Sequence, residues 1–293
     1  MHDPLAITAD PAFRRAWLRA DTQLAMTRFK HPLTKELRAK ATLSPSCRSY
    51  RSRPPEPVPI YSGFDYVTVD AQRRRVYAAH TGSHALAIVD ADSGKVVGQV
   101  RVGAVHGVAV DPATGHVFTG NGVDHSISEI DPVAKTVLRS ADVAGNVDAI
   151  AYDPGTGHIY ADEDDGTRIF VVDAKTMKSV GTVDLPGHEP EYLAVDPKTH
   201  DVYQNIANLG EFVVIDGATL KVKKTVMTPD VAGNHPLQFD AAHGHVLIGG
   251  QNSTIVTYDA AGKFLGKPPY KKVLINAVSI SGRTCSPVPE AVC

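Results

Sequence analysis

Five ionisable side chains recur in this sequence at one fixed offset. The segments are Phe64-Asp65-Tyr66-Val67-Thr68-Val69-Asp70, Val105-His106-Gly107-Val108-Ala109-Val110-Asp111, Val147-Asp148-Ala149-Ile150-Ala151-Tyr152-Asp153, Pro190-Glu191-Tyr192-Leu193-Ala194-Val195-Asp196 and His235-Pro236-Leu237-Gln238-Phe239-Asp240. Aligned on the closing Asp, they carry Asp65, His106, Asp148, Glu191 and His235 five places earlier. These residue types share ligand chemistry and not shape. A cluster of carboxylate oxygens and imidazole nitrogens suits Zn²⁺, Mn²⁺ or Fe²⁺, and with more carboxylate Ca²⁺. Two imidazoles argue against a pure Ca²⁺ site, and the lack of thiolate argues against a structural zinc site. A metal with open positions there could polarise a carbonyl or activate water.

The sequence holds 32 acidic residues and 13 histidines in 293. A column filled five times in five by these types arises by chance on the order of 10⁻⁴ of the time, or a few times in a thousand over some forty columns. Two other readings compete: a polar network between repeats, and a solvated channel mouth. Parity sharpens the first. Along an ideal strand the column shares its face with Val67 and Val69, or Val108 and Val110, which would aim it between repeats. The closing Asp column is plainly structural. It opens turns such as Asp111-Pro112-Ala113-Thr114-Gly115-His116 and Asp153-Pro154-Gly155-Thr156-Gly157-His158, where Asp accepts backbone N–H groups and Gly supplies positive φ.

The elements that must position these residues follow from the period. Closing Asp residues 70, 111, 153, 196 and 240 are 41, 42, 43 and 44 apart. A period near forty with strand-like content predicts a β-propeller of four-stranded antiparallel blades. Strand A is the segment above, and strand B is Val76–Ala79 and its counterparts. Strand C ends at Asp90, Asp131, Asp173, Asp216 and Asp259. Strand D alternates, as in Lys95–Val100 and Lys221–Val226, which suits an exposed rim. Inner strands converge on the channel, so the column predicts a ring at its mouth. Strand B returns to the same face and predicts a second, ligand-binding tier at His80, Asn121 and Glu163 beside Ile206. Taken singly, His80, His125 and His188 suit surface or capping roles, and Glu163, Asp164 and Asp165 a solvated loop.

Val117-Phe118-Thr119-Gly120-Asn121, the Asp-Pro-x-Thr-Gly-His turns and Val213-Val214-Ile215-Asp216-Gly217-Ala218-Thr219 resemble the repeat family named for its Tyr-Val-Thr-Asn signature (YVTN). The resemblance covers about residues 57–265. The signature is degraded at Tyr77-Ala78-Ala79-His80, Tyr160-Ala161-Asp162-Glu163 and Tyr203-Gln204-Asn205-Ile206. The resemblance implies a bacterial or archaeal extracytoplasmic propeller, often of seven blades and commonly without assigned activity. This chain offers five full repeats and the start of a sixth, Ile275–Ser281, with Asn276 in the ring column. That pattern implies either a truncated propeller, which is favoured, or one closed irregularly by the N-terminal segment, and an unclosed sheet leaves edges for another chain.

Residues 1–56 read as an N-terminal extension, a broken basic amphipathic helix or disorder, with a Ser/Arg/Pro-rich linker at 44–59; residues 57–282 hold the repeats and 283–293 a tail. No apolar run is long enough to span a bilayer. The start lacks the basic-then-apolar pattern of a secretory signal, so either the chain is cytosolic or an export signal lies outside this sequence. Cys47, Cys285 and Cys293 form neither a zinc knuckle nor a disulfide framework, and Cys285 with Cys293 is the one pairing an oxidising compartment would permit. A formal net charge of -2 gives no argument for nucleic acid or anionic lipid, and no Gly-x-Ser-x-Gly, phosphate-cradling glycine loop or HExxH appears. Three functions remain open. The first is a non-catalytic propeller binding a small molecule or protein at the channel mouth, with no organic cofactor. The second is a metal-dependent hydrolase of lactonase type with Glu191 or Asp148 as base, and the third is a structural repeat protein.

Overall fold

A computed structural model describes residues 63–267. The N-terminal extension, Asn276 with its partial sixth repeat, the tail and all three cysteines lie outside the described residues. Five four-stranded antiparallel sheets, each a simple meander, make up the described chain. Blade 1 holds β1 Val67–Asp70, β2 Arg75–His80, β3 Ala85–Asp90 and β4 Val96–Arg101. Blade 2 holds β5 Val105–Val110, β6 Val117–Asn121, β7 Ser126–Asp131 and β8 Thr136–Asp142. Blade 3 holds β9 Val147–Asp153, β10 His158–Glu163, β11 Arg168–Asp173 and β12 Lys178–Asp184. Blade 4 holds β13 Pro190–Val195, β14 Asp201–Ile206, β15 Glu211–Asp216 and β16 Lys221–Met227. Blade 5 holds β17 Asn234–Asp240, β18 His245–Gly250, β19 Ile255–Asp259 and β20 Phe264–Gly266.

The innermost strands lie side by side in the order β1, β5, β9, β13, β17. The middle strands of each blade are apolar on both faces and bury between neighbours. Tyr77, Leu86 and Ile88 of blade 1 pack with Val105, Val117 and Ile130 of blade 2, and Phe118 and Ile127 pack with Ile159 and Val172 of blade 3. Blades 3, 4 and 5 share one larger cluster. Fully burying one such side chain contributes about 1.5–3 kcal/mol, so seam packing holds the blades together. The fourth strands are exposed along most of their length, as their polar alternation predicts.

The closing Asp column does what its constancy implies. Asp111 accepts the Ala113 N–H at 2.9 Å and the Thr114 hydroxyl at 2.7 Å. Asp153 repeats this with Gly155 and Thr156, and Asp196 with Lys198 and Thr199. The strand C column caps a second set of turns. Backbone N–H donors there, led by Ala134 for Asp131 and Thr219 for Asp216, hold those carboxyls below the usual range.

Every inner strand carries a β-bulge at the ring column. In β5 the register steps from Val105 opposite Asn121 to Val108 opposite Thr119, so two residues on one strand face one fewer on the other. Comparable steps fall between Val147 and Ile150, Glu191 and Leu193, and Asn234 and Leu237. In blade 1 Asp65 and Tyr66 both bond to Ala79. An extra residue reverses side-chain parity and re-aims the bulged residue. The ring column therefore leaves the apolar face it would occupy on a regular strand. At the blade 2 bulge the backbones of β5 and β9 approach so closely that a Cβ on Gly107 would stand 2.5 Å from the Asp148 carbonyl oxygen and 2.6 Å from the Ile150 nitrogen. Backbone atoms cannot swing aside. Gly107→Ala is expected to lower stability by about 1–3 kcal/mol, read as a reduced denaturation midpoint. Ala149→Gly, on the facing strand, should cost less than Gly107→Ala despite removing a buried methyl.

Candidate functional site

The re-aimed residues meet across blades. Asp65 of blade 1, His106 of blade 2 and Asp148 of blade 3 offer ligand atoms that all lie within 4.8 Å of one another. His106 Nδ1 stands 2.7 Å from Asp65 Oδ2 and 3.5 Å from Asp148 Oδ1. The remaining two column residues meet each other, His235 Nε2 lying 2.9 Å from Glu191 Oε2. The predicted ring is thus present as a triad and a pair.

Bonding to Asp148 first, then to Asp65, pushes His106 up to about 10 against the opposing pull of burial. These two neighbours thus favour the imidazolium form of His106 at neutral pH. Burial raises Asp148 above the usual carboxyl range, and its bond to His106 opposes that shift. The second oxygen of Asp148 accepts the Tyr66 hydroxyl at 2.6 Å. Tyr66 also packs its ring 4.7 Å, centroid to centroid, from Tyr192 of blade 4. This side chain thus touches both blade 3 and blade 4, one residue along from the ring. Burial, followed by the Asp148 charge, raises its hydroxyl well above the ordinary value.

Three residues that sequence reasoning passed over complete this centre: Tyr66, Asp162 and Gln204. Asp162 is fully buried, accepts the Ala149 N–H at 2.6 Å and the Gln204 amide at 3.0 Å, and is raised well above the usual range by burial and then by Asp148. A signal for it exists in the sequence. The equivalent positions in strand B are Ala79, Gly120, Asn205 and Gly249, so an Asp stands in a column of mostly small residues.

The expected second tier is dispersed. His80 is buried, stacked at 4.2 Å on Phe64, with Nε2 3.0 Å from the Ser83 hydroxyl; burial lowers its pKa. Asn121 is consumed within its own blade, donating to Ser126 and Ser128 and accepting from Thr119. Glu163 pairs with Arg168 at 2.6 Å and accepts the Thr167 N–H. Ile206 is wholly buried in the apolar cluster. Asp164 and Asp165 are exposed loop residues, as expected.

No protein-family model matches the sequence, and no curated protein matches it. Among solved structures, the hydrazine synthase of Kuenenia stuttgartiensis is similar, with a TM-score of 0.64 at 17% identity, over 72% of this chain and 67% of that one. The fold is a β-propeller. At that identity the likeness speaks for architecture alone, and many other solved chains share it. Among the described residues, no helix is long and apolar enough to cross a membrane.

The triad can hold a metal ion if it yields its proton. Tetrahedral coordination at about 2.05 Å places donors about 3.4 Å apart. The 3.5 Å separation of His106 from Asp148 already matches, whereas the 2.7 Å separation from Asp65 is that of a hydrogen bond and must open. A raised folded pKa means that the stabilisation by His106 is complete below its unfolded value near 6.5 and is lost as pH rises through about 10. In chelator, His106→Gln is therefore expected to cost about 2–4 kcal/mol at pH 6 and much less at pH 10.5. Denaturant melts at the two pH values check this, and an equal cost at both would contradict an imidazolium.

Proposed function

We propose that this protein is a propeller that binds a ligand or protein partner at its channel mouth through a divalent metal held by Asp65, His106 and Asp148. The observation that carries this reading is the convergence of one imidazole and two carboxylates, contributed by three blades, with their ligand atoms within 4.8 Å of one another. Three protein donors leave positions open at a mouth, as a binding or catalytic metal requires and a closed structural site does not. Glu191 and His235 stand on neighbouring inner strands and offer an acid and an imidazole for the rest of the ligand. Zn²⁺, Mn²⁺ and Fe²⁺ suit the donor set better than Ca²⁺, because imidazole is a borderline-soft ligand. When bound, the metal would supply Lewis acidity, while Tyr66 fixes the orientation of Asp148 through its far oxygen.

Hydrolysis of lactone type draws less support. Asp148 already accepts from Tyr66 and lies against His106, and Glu191 lies against His235, so each candidate base is already engaged with a neighbouring side chain. Binding without turnover is the reading adopted. The repeated Asp-Pro-x-Thr-Gly-His turns support membership of the YVTN family, and with it an extracytoplasmic, periplasmic or extracellular location.

Titration of chelator-stripped full-length protein with Zn²⁺ or Mn²⁺ is expected to give one site per chain, with release of the His106 proton. At metal concentrations a hundredfold above Kd, stability should rise by about 2.7 kcal/mol. Asp65→Asn and His106→Gln should each weaken the metal at least tenfold, whereas Glu163→Gln should leave it unchanged. Stripped protein that takes up no metal, or variants that bind as tightly as the parent, would reduce the triad to an ion-pair network between blades.

A further inference from the structure

On the face opposite the ring, three of the four seams between described blades are closed by a side chain that reaches the first turn residues after strand C of the next blade. Tyr160 donates to the Gly217 carbonyl and Tyr203 to the Ala260 carbonyl, each at 3.3 Å. Blade 2 has Phe118 in the same position. There Arg139, itself anchored on Glu129, donates instead to the Lys175 carbonyl at 2.6 Å and to Ala174. Blade 1 has the tyrosine, Tyr77, and the matching carbonyl belongs to Pro132. Yet the Tyr77 hydroxyl makes no hydrogen bond among the described residues. On this face hydrogen bonds bridge the seam at its margins, from Arg73 to the Pro112 and Ala113 carbonyls and from Lys135 to Val97.

The room left by this absent closure is a cleft of about 350 Å³, lined by Arg73, Arg75, Tyr77, Ile88, His116 and Val133 among others. Tyr77 and Ile88 lie at its floor, almost wholly buried, and Pro132 and the exposed Val133 supply apolar surface at its edge. Its polar groups are donors with capacity to spare. Arg75 uses only Nη1, on Asp90 and two carbonyls, so Nε and Nη2 are unengaged among the described residues. His116 bonds Glu129 through Nδ1, with Nε2 unengaged in the same sense. Asp131 also lines the cleft, but its carboxylate already accepts the Val133 and Ala134 N–H groups. The charges of Arg73 and Arg75 are matched by Asp70 and Asp90, and Asp131 adds a negative charge, so attraction here comes from aimed hydrogen bonds and not from net field.

We propose that the cleft between blades 1 and 2 is a binding site for a small organic carboxylate with an apolar body. Its carboxylate takes the Nε–Nη2 edge of Arg75 and the Tyr77 hydroxyl, with His116 at hand. A fork of two parallel N–H donors matches a carboxylate better than a point cation would. The apolar body lies over Ile88 and against Pro132 and Val133. A volume of this size and a few convergent polar groups on an apolar floor are what small-molecule sites require.

Benzoate is a suitable probe, and benzamide is its uncharged counterpart. Chemical-shift titration of the full-length protein is expected to show saturable benzoate binding with a Kd of about 1–10 mM, in line with a nine-atom ligand, and no comparable binding of benzamide. Arg75→Gln should weaken benzoate at least tenfold. Tyr77→Phe should weaken it about threefold to tenfold without harm to the fold, because Phe118 occupies that position in blade 2. His106→Gln, at the other mouth, should leave benzoate binding unchanged whatever becomes of the metal. Equal binding of benzamide, an unaltered Kd in both cleft variants, loss through His106→Gln, or no saturation up to about 50 mM would each overturn the proposal.

Discussion

The register step in each inner strand is the constraint on which the rest of this molecule depends. A regular strand would send the ring column into the seams, among valines and leucines, where an unpaired carboxylate or imidazole costs several kcal/mol. One extra residue per strand turns that column toward its counterparts on the neighbouring blades. The chain following the bulge returns to ordinary parity, so Val108, Ile150, Leu193 and Leu237 stay in the apolar clusters or at their edges. The bulge thus separates two demands that a regular strand would place on the same face: dry packing between blades and polar convergence at the mouth. Gly107 marks where this separation is tightest, since there the bulged backbone lies against the next blade with no room for a side chain.

Convergence concentrates negative charge. Asp65, Asp148, Asp162 and Glu191 gather near one mouth, with His106 against Asp65 and Asp148 and His235 against Glu191. The pKa directions record how the load is carried. His106 is held protonated by its two neighbours, while Asp148 and Asp162 are pushed toward their neutral forms by burial. A proton on an imidazole and a divalent metal are alternative occupants of such a place. The metal brings more charge, but it must expel the proton and open the 2.7 Å contact with Asp65. Affinity for a metal would therefore rise with pH over the neutral range, and the proton would occupy the centre in acid.

Much of this was legible in the sequence, because repetition turns single residues into columns. The period near forty gave the blades, and the invariance of the Asp columns marked them as turn caps, each now seen to accept backbone N–H groups. The mixed column marked a candidate site for the opposite reason: a turn cap tolerates one residue type, whereas ligation would tolerate several. The bulges were not legible. No glycine or proline recurs at that point, the residues after the column being Tyr66, Gly107, Ala149, Tyr192 and Pro236, and parity on an unbroken strand argued for the wrong face. Extending the same reasoning to strand B failed for a related reason. Glu163 follows the centre by one residue and finds Arg168 at the rim, whereas Asp162 faces blade 4 and Gln204.

Near-repetition also makes each departure informative. Where Tyr160 and Tyr203 close their seams, and where Arg139 substitutes for a missing hydroxyl, the blades are joined through the same turn of the next repeat. Three seams closed by two different chemistries indicate that closure is the default state of this fold on that face. Packing alone does not explain an exception, because the blade 1 seam buries Tyr77, Ile88, Val117 and Ile130 as fully as the others bury their counterparts. The Tyr77 hydroxyl and the outer edge of the Arg75 guanidinium both line the cleft with no bond to the next blade, at a position where blade 2 carries Phe118. A ligand carboxylate would supply to both groups at once the acceptor that the neighbouring blade does not.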